Sequence, residues 1–273
     1  MIGAIKHLGA IVFNVLQWSG FGLWSFFWMS AATIRGRLPP GDPNIPLSWA
    51  RRFWRPGVVF LTRCNLVQHP GFVPTPGEPY IYVMNHQSMM DIVAAFVCIP
   101  RNFRFIAKKS LKPIPFLGWY MTATGMVFID RKNRQSALRS LDEACQSIRG
   151  GISILVYPEG TRSRDGAILP FKKGPFVMAI QSGVPLVPVV VEGSRRILGR
   201  DTARLFPATV HCKIGQPIPT TGLTLADRDA LIRRVRDAMI DLHESIGGCG
   251  GDKTTAISQH EGRGAADAAD SRD

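Results

Sequence analysis

The N-terminal region contains 27 consecutive residues, positions 8–34, without a charged side chain. A helix needs roughly 20 apolar residues to cross a bilayer, so this run is long enough to contact lipid. Its three tryptophans suit the interface between lipid and water: Trp18, Trp24 and Trp28. Gly20 and Gly22 lie near the middle of the run, and a break there would produce a shallow hairpin that enters one leaflet. A single span and a hairpin both remain open.

A cleaved signal peptide is a third interpretation of this run, with Ser30-Ala31-Ala32 as the cleavage site. The apolar region is longer than a usual signal sequence and its basic flank is weak, which favours a retained membrane segment. Five arginines follow the run: Arg35, Arg37, Arg51, Arg52 and Arg55. The positive-inside rule therefore predicts a protein of the inner (cytoplasmic) membrane whose following domain faces the cytoplasm.

The charge balance of the chain indicates an anionic partner. The sequence has 33 basic and 20 acidic residues, which leaves a formal net charge of +13. An excess of this size favours phospholipid head groups, other phosphate-bearing ligands, an acidic protein or nucleic acid as partners. The basic residues are dispersed and no helix-turn-helix, zinc-finger or RNA-binding motif is visible, so we expect no nucleic-acid partner.

Several common classes of enzyme lack their usual motifs in this sequence. The five cysteines are scattered and form no C-x-x-C pair, which indicates a reducing compartment and predicts no metal site. A phosphate-binding loop and a dinucleotide fingerprint are missing, so nucleotide hydrolysis and nicotinamide chemistry lack support. A G-x-S-x-G elbow is missing as well, which argues against a serine hydrolase.

A histidine and an aspartate, five residues apart, follow an apolar segment at residues 80–84 that reads as a buried strand. A neutral imidazole can accept a proton from a hydroxyl near pH 7, and a carboxylate on its other nitrogen fixes the tautomer. Residues five apart lie roughly 140° apart around a helix, so we place His86 in the turn and Asp91 in the first turn of a helix that begins at Ser88. Ser88 to Asp91 is also a possible capping box, in which the carboxylate only satisfies a backbone N–H.

Two further apolar strands also end in charged residues, in the sequences Phe128-Ile129-Asp130-Arg131 and Tyr157-Pro158-Glu159-Gly160-Thr161-Arg162-Ser163. Ligands bind at the carboxyl ends of strands in open α/β sheets, so these segments can meet the histidine turn at one edge. Arg131 and Arg162 would supply forked donors for a phosphate, and Gly160 would let the backbone approach a ligand. In the alternative interpretation, Asp130 with Arg131 and Glu159 with Arg162 form ordinary ion pairs.

The remaining pattern alternates strands with helix-length segments. Strands are expected near residues 80–84, 104–107, 126–130, 152–157, 185–191 and 209–214, and helices near 88–97, 116–122, 137–148, 175–183 and 231–242. This alternation predicts an α/β fold with a mostly parallel sheet flanked by helices, plus the N-terminal apolar helix or helical hairpin.

The same pattern divides the chain into four parts. Residues 1–38 form the membrane-anchoring segment, and 39–79 a basic, proline- and glycine-rich linker and lead-in. Residues 80–246 form the single catalytic domain. Residues 247–273 are rich in glycine, alanine and aspartate, which predicts a disordered tail.

Four segments in this order resemble the four blocks of the glycerolipid acyltransferase family, which includes the 1-acylglycerol-3-phosphate acyltransferases. They are NHQSMMD at 85–91, FIDR at 128–131, YPEGTRS at 157–163 and VPLVPV at 184–189. The similarity spans residues 80–193, and N-H-x4-D followed by E-G-T-R-S is far more specific than either motif alone. The resemblance implies a membrane-bound enzyme that passes an acyl chain from acyl-CoA or acyl carrier protein to a lysophospholipid hydroxyl.

The resemblance also implies roles for individual residues. His86 matches the general base of the family and Asp91 its partner. Five residues match positions assigned to acceptor and phosphate binding: Arg131, Glu159, Gly160, Thr161 and Arg162. Lys108 or Lys109, in the basic segment between the first two blocks, is a further phosphate contact. No metal or cofactor is expected beyond the thioester co-substrate.

The expected reaction belongs to phospholipid biosynthesis, with lysophosphatidic acid as acceptor and phosphatidic acid as product. Backbone N–H groups near the histidine turn are a candidate for stabilising the oxyanion. An acyltransferase for another lysolipid, for glycerol-3-phosphate or for an amino-acid lipid would use the same blocks. A catalytically silent membrane protein that binds anionic lipids is the alternative from a different class.

Overall fold

The centre of the molecule is a mostly parallel β-sheet, seen in a computed structural model that describes residues 2–39, 41–130 and 134–257. Within these residues the sheet has seven strands, in the spatial order β1-β7-β6-β2-β5-β3-β4. The strands are β1 (Asn65–Gln68), β2 (Ile81–Met84), β3 (Phe103–Lys108), β4 (Val127–Ile129), β5 (Ser153–Val156), β6 (Leu186–Glu192) and β7 (Thr209–Ile214).

Helices precede the sheet and connect its strands. They are α1 (Ile2–Arg37), α2 (Asn44–Trp49), α3 (Arg55–Thr62), α4 (Asp91–Cys98), α5 (Leu117–Ala123), α6 (Arg134–Arg149), α7 (Gly174–Ser182), α8 (Ser194–Ile197) and α9 (Arg228–Glu244). A π-helical turn at Ala50–Trp54 joins α2 to α3.

The strands from β6 to β4 run parallel to one another, whereas β7 is antiparallel to β6 and parallel to β1. Every residue of β2 is buried. Tyr82 and Met84 face the core that contains α4, while Ile81 and Val83 face the core under α7 and α9. A strand covered on both faces reads as a continuous apolar run. The predicted α/β class with a mostly parallel sheet is therefore confirmed.

The N-terminal helix α1 continues through both central glycines, so of the two alternatives left open the structure has one unbroken helix and no break at Gly20 and Gly22. A glycine costs a helix only about 1 kcal/mol, and packing compensates for a loss of that size. The chain instead returns along α1 through α2 and α3. At Gly57 of α3 a Cβ atom would lie 2.1 Å from the Trp24 indole, and Trp24 Nε1 donates to Trp54 O at 2.9 Å. The chain thus turns back after α1, and α3 packs closely along an unbroken α1.

One face of α1 covers the domain and the other is open. Residues Gly9–Arg37 are long and apolar enough to cross a membrane by length and composition. Large apolar side chains on this helix are exposed, among them Phe13, Leu16, Leu23, Phe27 and Ile34. Trp18 and Trp24 nevertheless direct their indole N–H groups into the protein, to Ala203 O and Trp54 O.

Two predicted boundaries differ from the structure. The sheet starts at β1, where Asn65 pairs with Thr209, and residues 44–62 are helical, so the region 39–79 is not a linker. Residues 247–257 pack on the domain, because Ile168 N donates to Gly250 O at 2.8 Å and Phe171 N to Ala256 O at 3.0 Å. Main-chain hydrogen bonds hold this segment, and a composition rich in glycine does not reveal them. Residues 258–273 lie outside the described part of the chain.

Candidate active site

The predicted dyad is formed at the carboxyl end of β2. His86 Nδ1 lies 2.7 Å from Asp91 Oδ2. The side chain of His86 is 16% exposed, whereas that of Asp91 is fully buried. Because Nδ1 is bound to the carboxylate, Nε2 is the nitrogen that remains for a substrate. The helix begins at Asp91 rather than at Ser88, so the aspartate still occupies the first turn and reaches back as expected.

Asp91 also binds backbone N–H groups of the turn, as the interpretation that competed with the dyad expected, although Met90 and not Ser88 is the N-cap of α4. Its Oδ2 accepts the backbone N–H of Gln87 at 2.7 Å and that of Ser88 at 2.9 Å. The two interpretations are therefore compatible, because one oxygen serves the imidazole and the two N–H groups. The carboxylate orients His86 and fixes the shape of the turn that carries it.

Ser194 is a site residue that the sequence reasoning missed. Its hydroxyl donates to Asp91 Oδ1, the oxygen that His86 does not use. Ser194 begins the short helix α8 directly after Gly193, which has φ +93°. A Cβ atom at Gly193 would lie 2.4 Å from Thr209 O, so this tight turn requires glycine. The available signal was a glycine followed by a serine at the end of a buried strand.

The loop after β5 holds the backbone of His86 on both sides. His86 N donates to Glu159 Oε1 at 3.3 Å, and Ser163 N donates to His86 O at 2.7 Å. Glu159 is 3% exposed and lies behind the turn, so its position fits support of His86. Burial raises the pKa of its carboxyl well above the usual range, which favours the neutral acid. Within the described residues Glu159 and Arg162 form no ion pair, against the alternative interpretation.

Tyr157 packs flat against the general-base candidate. Its ring centroid lies 4.0 Å from that of His86, with an interplanar angle of 18°. The hydroxyl is buried and has no hydrogen-bond partner among the described residues. Burial, and then the charge of Asp91, raise the pKa of Tyr157 well above its ordinary value. The phenol therefore stays neutral and acts as a flat wall for the imidazole.

His86 opens into a cavity of about 750 Å³ that reaches from the sheet edge to the underside of α1. Polar groups line the end near His86: Lys108, Gly160, Thr161, Arg162 and Arg200. The rest is mainly apolar and comes from α1, α4, α5 and the segments around them, with Trp18, Met29, Ala32, Phe96, Tyr120 and Met121 among its residues. None of the described lining residues is acidic. The cavity therefore combines a cationic end with an apolar interior.

The remaining predicted phosphate contacts, Lys108, Lys109 and Arg131, differ in position. Lys108 lines the cavity, whereas Lys109 Nζ lies 3.6 Å from Asp130 Oδ2. Of the two lysines, Lys108 thus fits the predicted role. Arg131 lies outside the described residues. Arg200 was missed; it lines the cavity and donates through Nη1 to Arg162 O at 3.0 Å, and nothing in the sequence around it marks it.

The candidate oxyanion donors at the turn are occupied. The N–H groups of His86, Gln87 and Ser88 all donate to side-chain carboxyl oxygens of Glu159 or Asp91. A backbone N–H that already serves a buried carboxyl group is not free for a developing oxyanion. These three N–H groups are therefore engaged within the turn, and the structure gives the prediction that they stabilise the oxyanion no support.

Comparisons with known proteins give a consistent picture. The family model described as Acyltransferase matches residues 65–192. Over 173 residues the chain is 38% identical to the 1-acyl-sn-glycerol-3-phosphate acyltransferase of Saccharomyces cerevisiae, covering 62% of this chain and 57% of the yeast protein. The human 1-acyl-sn-glycerol-3-phosphate acyltransferase alpha is 35% identical over 172 residues, covering 63% of this chain and 61% of that protein. The chain thus spans less than two thirds of the length of these relatives.

A solved structure is similar over nearly the whole chain. The crystal structure of the 1-acyl-sn-glycerophosphate (LPA) acyltransferase PlsC from Thermotoga maritima gives a TM-score of 0.73 at 26% sequence identity. This alignment covers 87% of the chain and 97% of the Thermotoga protein. Sequence motifs, fold and relatives agree. Over residues 65–192, the part that the family model matches, the chain is similar to the acyltransferase family.

Proposed function

We propose that this protein transfers an acyl chain from acyl-CoA or acyl carrier protein to the sn-2 hydroxyl of lysophosphatidic acid, forming phosphatidic acid. The observation that carries the proposal is the His86–Asp91 pair, 2.7 Å apart, at the cationic end of an apolar cavity. A thioester-linked acyl chain needs apolar space, and a phosphate-bearing acceptor needs positive charge. The names of the yeast, human and Thermotoga relatives support this acceptor.

In the proposed mechanism His86 Nε2 removes the proton of the acceptor hydroxyl. Asp91 keeps the imidazole in the required tautomer and stabilises the imidazolium that forms. The alkoxide adds to the thioester carbonyl, the C–S bond of the tetrahedral intermediate breaks, and the thiolate takes the proton from His86. The new ester and the free thiol account for all atoms. No metal or further cofactor enters this scheme.

The acceptor is held by basic side chains at the cationic end of the cavity. Lys108 and Arg162 line this end, and we assign them, with Arg131, to the acceptor phosphate. Binding there would bring the hydroxyl to His86, and orientation of this kind lowers the barrier without chemical participation. Gly160, with φ +71°, and Thr161 line the same end and complete the assigned acceptor site.

Membrane association follows from the apolar helix α1, whose open face carries exposed Phe13, Leu16 and Phe27. We propose that the catalytic domain faces the cytoplasm, because arginines from Arg35 to Arg55 follow the apolar run. In this orientation the membrane lipids are direct partners, and the cavity under α1 lies next to the source of the acceptor.

The first test is an acyl-transfer assay with purified protein in detergent or lipid. Lysophosphatidic acid is offered with acyl-CoA or with acyl carrier protein thioester, and phosphatidic acid is followed by mass spectrometry. We expect product from the wild type and none from His86→Ala. His69→Gln is the matched control, since His69 pairs with His211 outside the cavity lining. Product formed by His86→Ala would contradict the assigned base.

A second experiment tests the phosphate assignment and the acceptor. Arg162→Ala and Lys108→Ala should raise the KM for lysophosphatidic acid strongly and leave the donor KM nearly unchanged. Lys109→Ala is the control, because Lys109 lies beside Asp130. Equal effects on both KM values would contradict the assignment.

The cationic end of the cavity fits any phosphate-bearing lysolipid, so an acyltransferase for another lysolipid is the second candidate function. Competition between lysolipids with different head groups measures this preference directly. A wild type that forms no product with any lysolipid, while both it and His86→Ala bind anionic vesicles, would favour the non-catalytic lipid-binding alternative.

A further inference from the structure

Three buried polar side chains lie together behind the catalytic turn, and the mechanism above does not use them. Gln87 and His243 are 0% exposed and Glu192 is 5% exposed. We call these three residues the Glu192 cluster. Gln87 belongs to the histidine turn, Glu192 ends β6, and His243 lies in the last turn of α9. Burying polar groups is unfavourable unless they are hydrogen-bonded, so such a cluster needs an explanation.

The hydrogen bonds assign the protons of the cluster. Gly250 N donates to His243 Nδ1 at 3.2 Å, so the imidazole proton is on Nε2. His243 Nε2 then donates to Glu192 Oε2 at 3.1 Å. Gln87 Nε2 donates to the same oxygen at 2.8 Å and to Gly166 O at 3.1 Å. Glu192 Oε2 therefore links Gln87 in the histidine turn to His243 in α9.

Glu192 remains an ionised acceptor in this position. Burial by itself would raise its pKa, but hydrogen bonds from His243 and Gln87 bring the pKa of its carboxyl below the usual range. Arg196 Nη2 lies 3.2 Å from the second oxygen, Oε1. Hydrogen bonds to an ionised acceptor are stronger than neutral ones. The carboxylate thus holds the amide of Gln87 firmly.

Gln87 directly follows His86 in the chain, so the backbone connects its side-chain amide to the base. Gln87 N donates to Asp91 Oδ2, the oxygen that also binds His86 Nδ1. A rotation of Gln87 would turn this N–H away and change the position of His86. We propose that His243, acting through Glu192 and Gln87, is a positioning residue for His86 in the acyl transfer. This inference rests on the proposed function.

His243 lies 51 residues beyond Glu192, the last residue that the family model matches. The proposal therefore makes the end of α9 and the segment after it part of the catalytic unit. Gly248 supports this arrangement, because a Cβ atom there would lie 2.3 Å from His243 Nε2. The backbone after α9 thus lies directly against the imidazole.

The kinetic test compares two substitutions at the same position. His243→Leu removes the donor to Glu192, and we expect kcat to fall by about tenfold or more, since small displacements of a catalytic group have effects of this size. The KM values for acceptor and donor should change by less than about twofold, because the cluster does not line the cavity. His243→Gln can accept from Gly250 N and donate to Glu192, and should recover most of kcat.

Met239→Ala is the matched control for loss of packing. Met239 is fully buried on the same helix and packs among apolar residues. Both variants should lower the melting temperature, so rates are compared at a temperature where both are folded. An equal loss of kcat in Met239→Ala, or a failure of His243→Gln to recover activity, would overturn the positioning role.

A spectroscopic measurement separates this inference from the proposed function. In histidine-labelled protein, the Nδ1–H signal of His86 is assigned by its loss in His86→Gln. We expect this signal to shift or broaden in His243→Leu and to stay unchanged in Met239→Ala. An unchanged signal in His243→Leu would overturn the link, whereas a wild type that forms no product would contradict only the proposed reaction.

Discussion

Ser194 donates its hydroxyl proton to Oδ1 of Asp91, while His86 binds Oδ2 of the same carboxylate. With the N–H groups of Gln87 and Ser88, Asp91 has donors on both oxygens although its side chain is fully buried. A buried carboxylate depends on such donors, and its orientation is set by all of them together. The orientation of the base therefore depends on a residue that lies more than 100 positions away in the sequence.

Ser194→Ala should lower both stability and rate. The buried Oδ1 loses its donor, which we expect to cost about 1–3 kcal/mol in the free energy of unfolding. Because Asp91 becomes less well oriented, kcat should fall while both KM values stay near those of the wild type. Ser182→Ala, which removes a hydroxyl bonded to Ala179 O on α7, is the control. Thermal unfolding and steady-state kinetics measure the two effects, and an unchanged kcat would contradict the role of Ser194.

Tyr157 should act through its ring rather than its hydroxyl. The hydroxyl is buried without a partner, so its removal in Tyr157→Phe should leave kcat within about twofold and stability unchanged or higher. Tyr157→Ala removes the ring stacked on His86 and should reduce kcat strongly. Kinetic assays of both variants test this. A large loss of activity in Tyr157→Phe would show that the hydroxyl takes part in the reaction.

Glu159 should make the folded state less stable as the pH rises. Burial raises the pKa of its carboxyl above the unfolded value, so the folded protein binds more protons than the unfolded one. The free energy of unfolding therefore decreases as the pH rises above the unfolded value of about 4.3, up to the folded pKa. Glu159→Gln removes this dependence.

The measurement is the melting temperature of Glu159→Gln minus that of the wild type, from about pH 5 to about pH 8. This difference should become more positive with increasing pH. Glu143→Gln, on the exposed surface of α6, is the matched control. A difference for Glu159→Gln that stays constant or becomes more negative would contradict a raised pKa.

Ala32 should limit the length of the acyl chain. It is buried, lines the cavity and lies 14 residues beyond Trp18, or about 21 Å along α1. Ala32→Phe would fill cavity space, and we expect the ratio of kcat/KM for short over long acyl donors to increase. Ile34→Phe adds a ring at an exposed position of the same helix and is the control. Identical chain-length profiles in wild type and Ala32→Phe would mean that the acyl chain does not reach Ala32.

The elements of the central sheet could be predicted closely. The strands expected at 80–84, 104–107 and 209–214 are found as β2, β3 and β7 within one residue at either end. Apolar runs and turn residues are local features, so a sequence displays them directly. The early strand β1 was missed because Asn65–Gln68 is short and partly exposed at the edge of the sheet. Its partner β7 is more than 140 residues away in the sequence, and no local pattern predicts that pairing.

The residues of the candidate site likewise divide into those that local motifs predict and those that only the fold identifies. His86, Asp91 and Arg162 could be named because each lies in a compact motif at the end of an apolar strand. The choice between Lys108 and Lys109 could not be made, since they are neighbours at the end of the same strand and only the fold shows which one faces the cavity.

The sequence by itself determined the order of strands and helices, the family motifs and the apolar N-terminal run, because each depends on residues close together in the chain. Only the tertiary structure decided that α1 remains one helix, that Ser194 and the Glu192 cluster support the dyad, and that Glu159 lies behind the turn. These relationships join residues up to 156 positions apart, as between Gln87 and His243. They arise from packing of distant segments and from the need to hydrogen-bond buried polar groups, which local patterns do not encode.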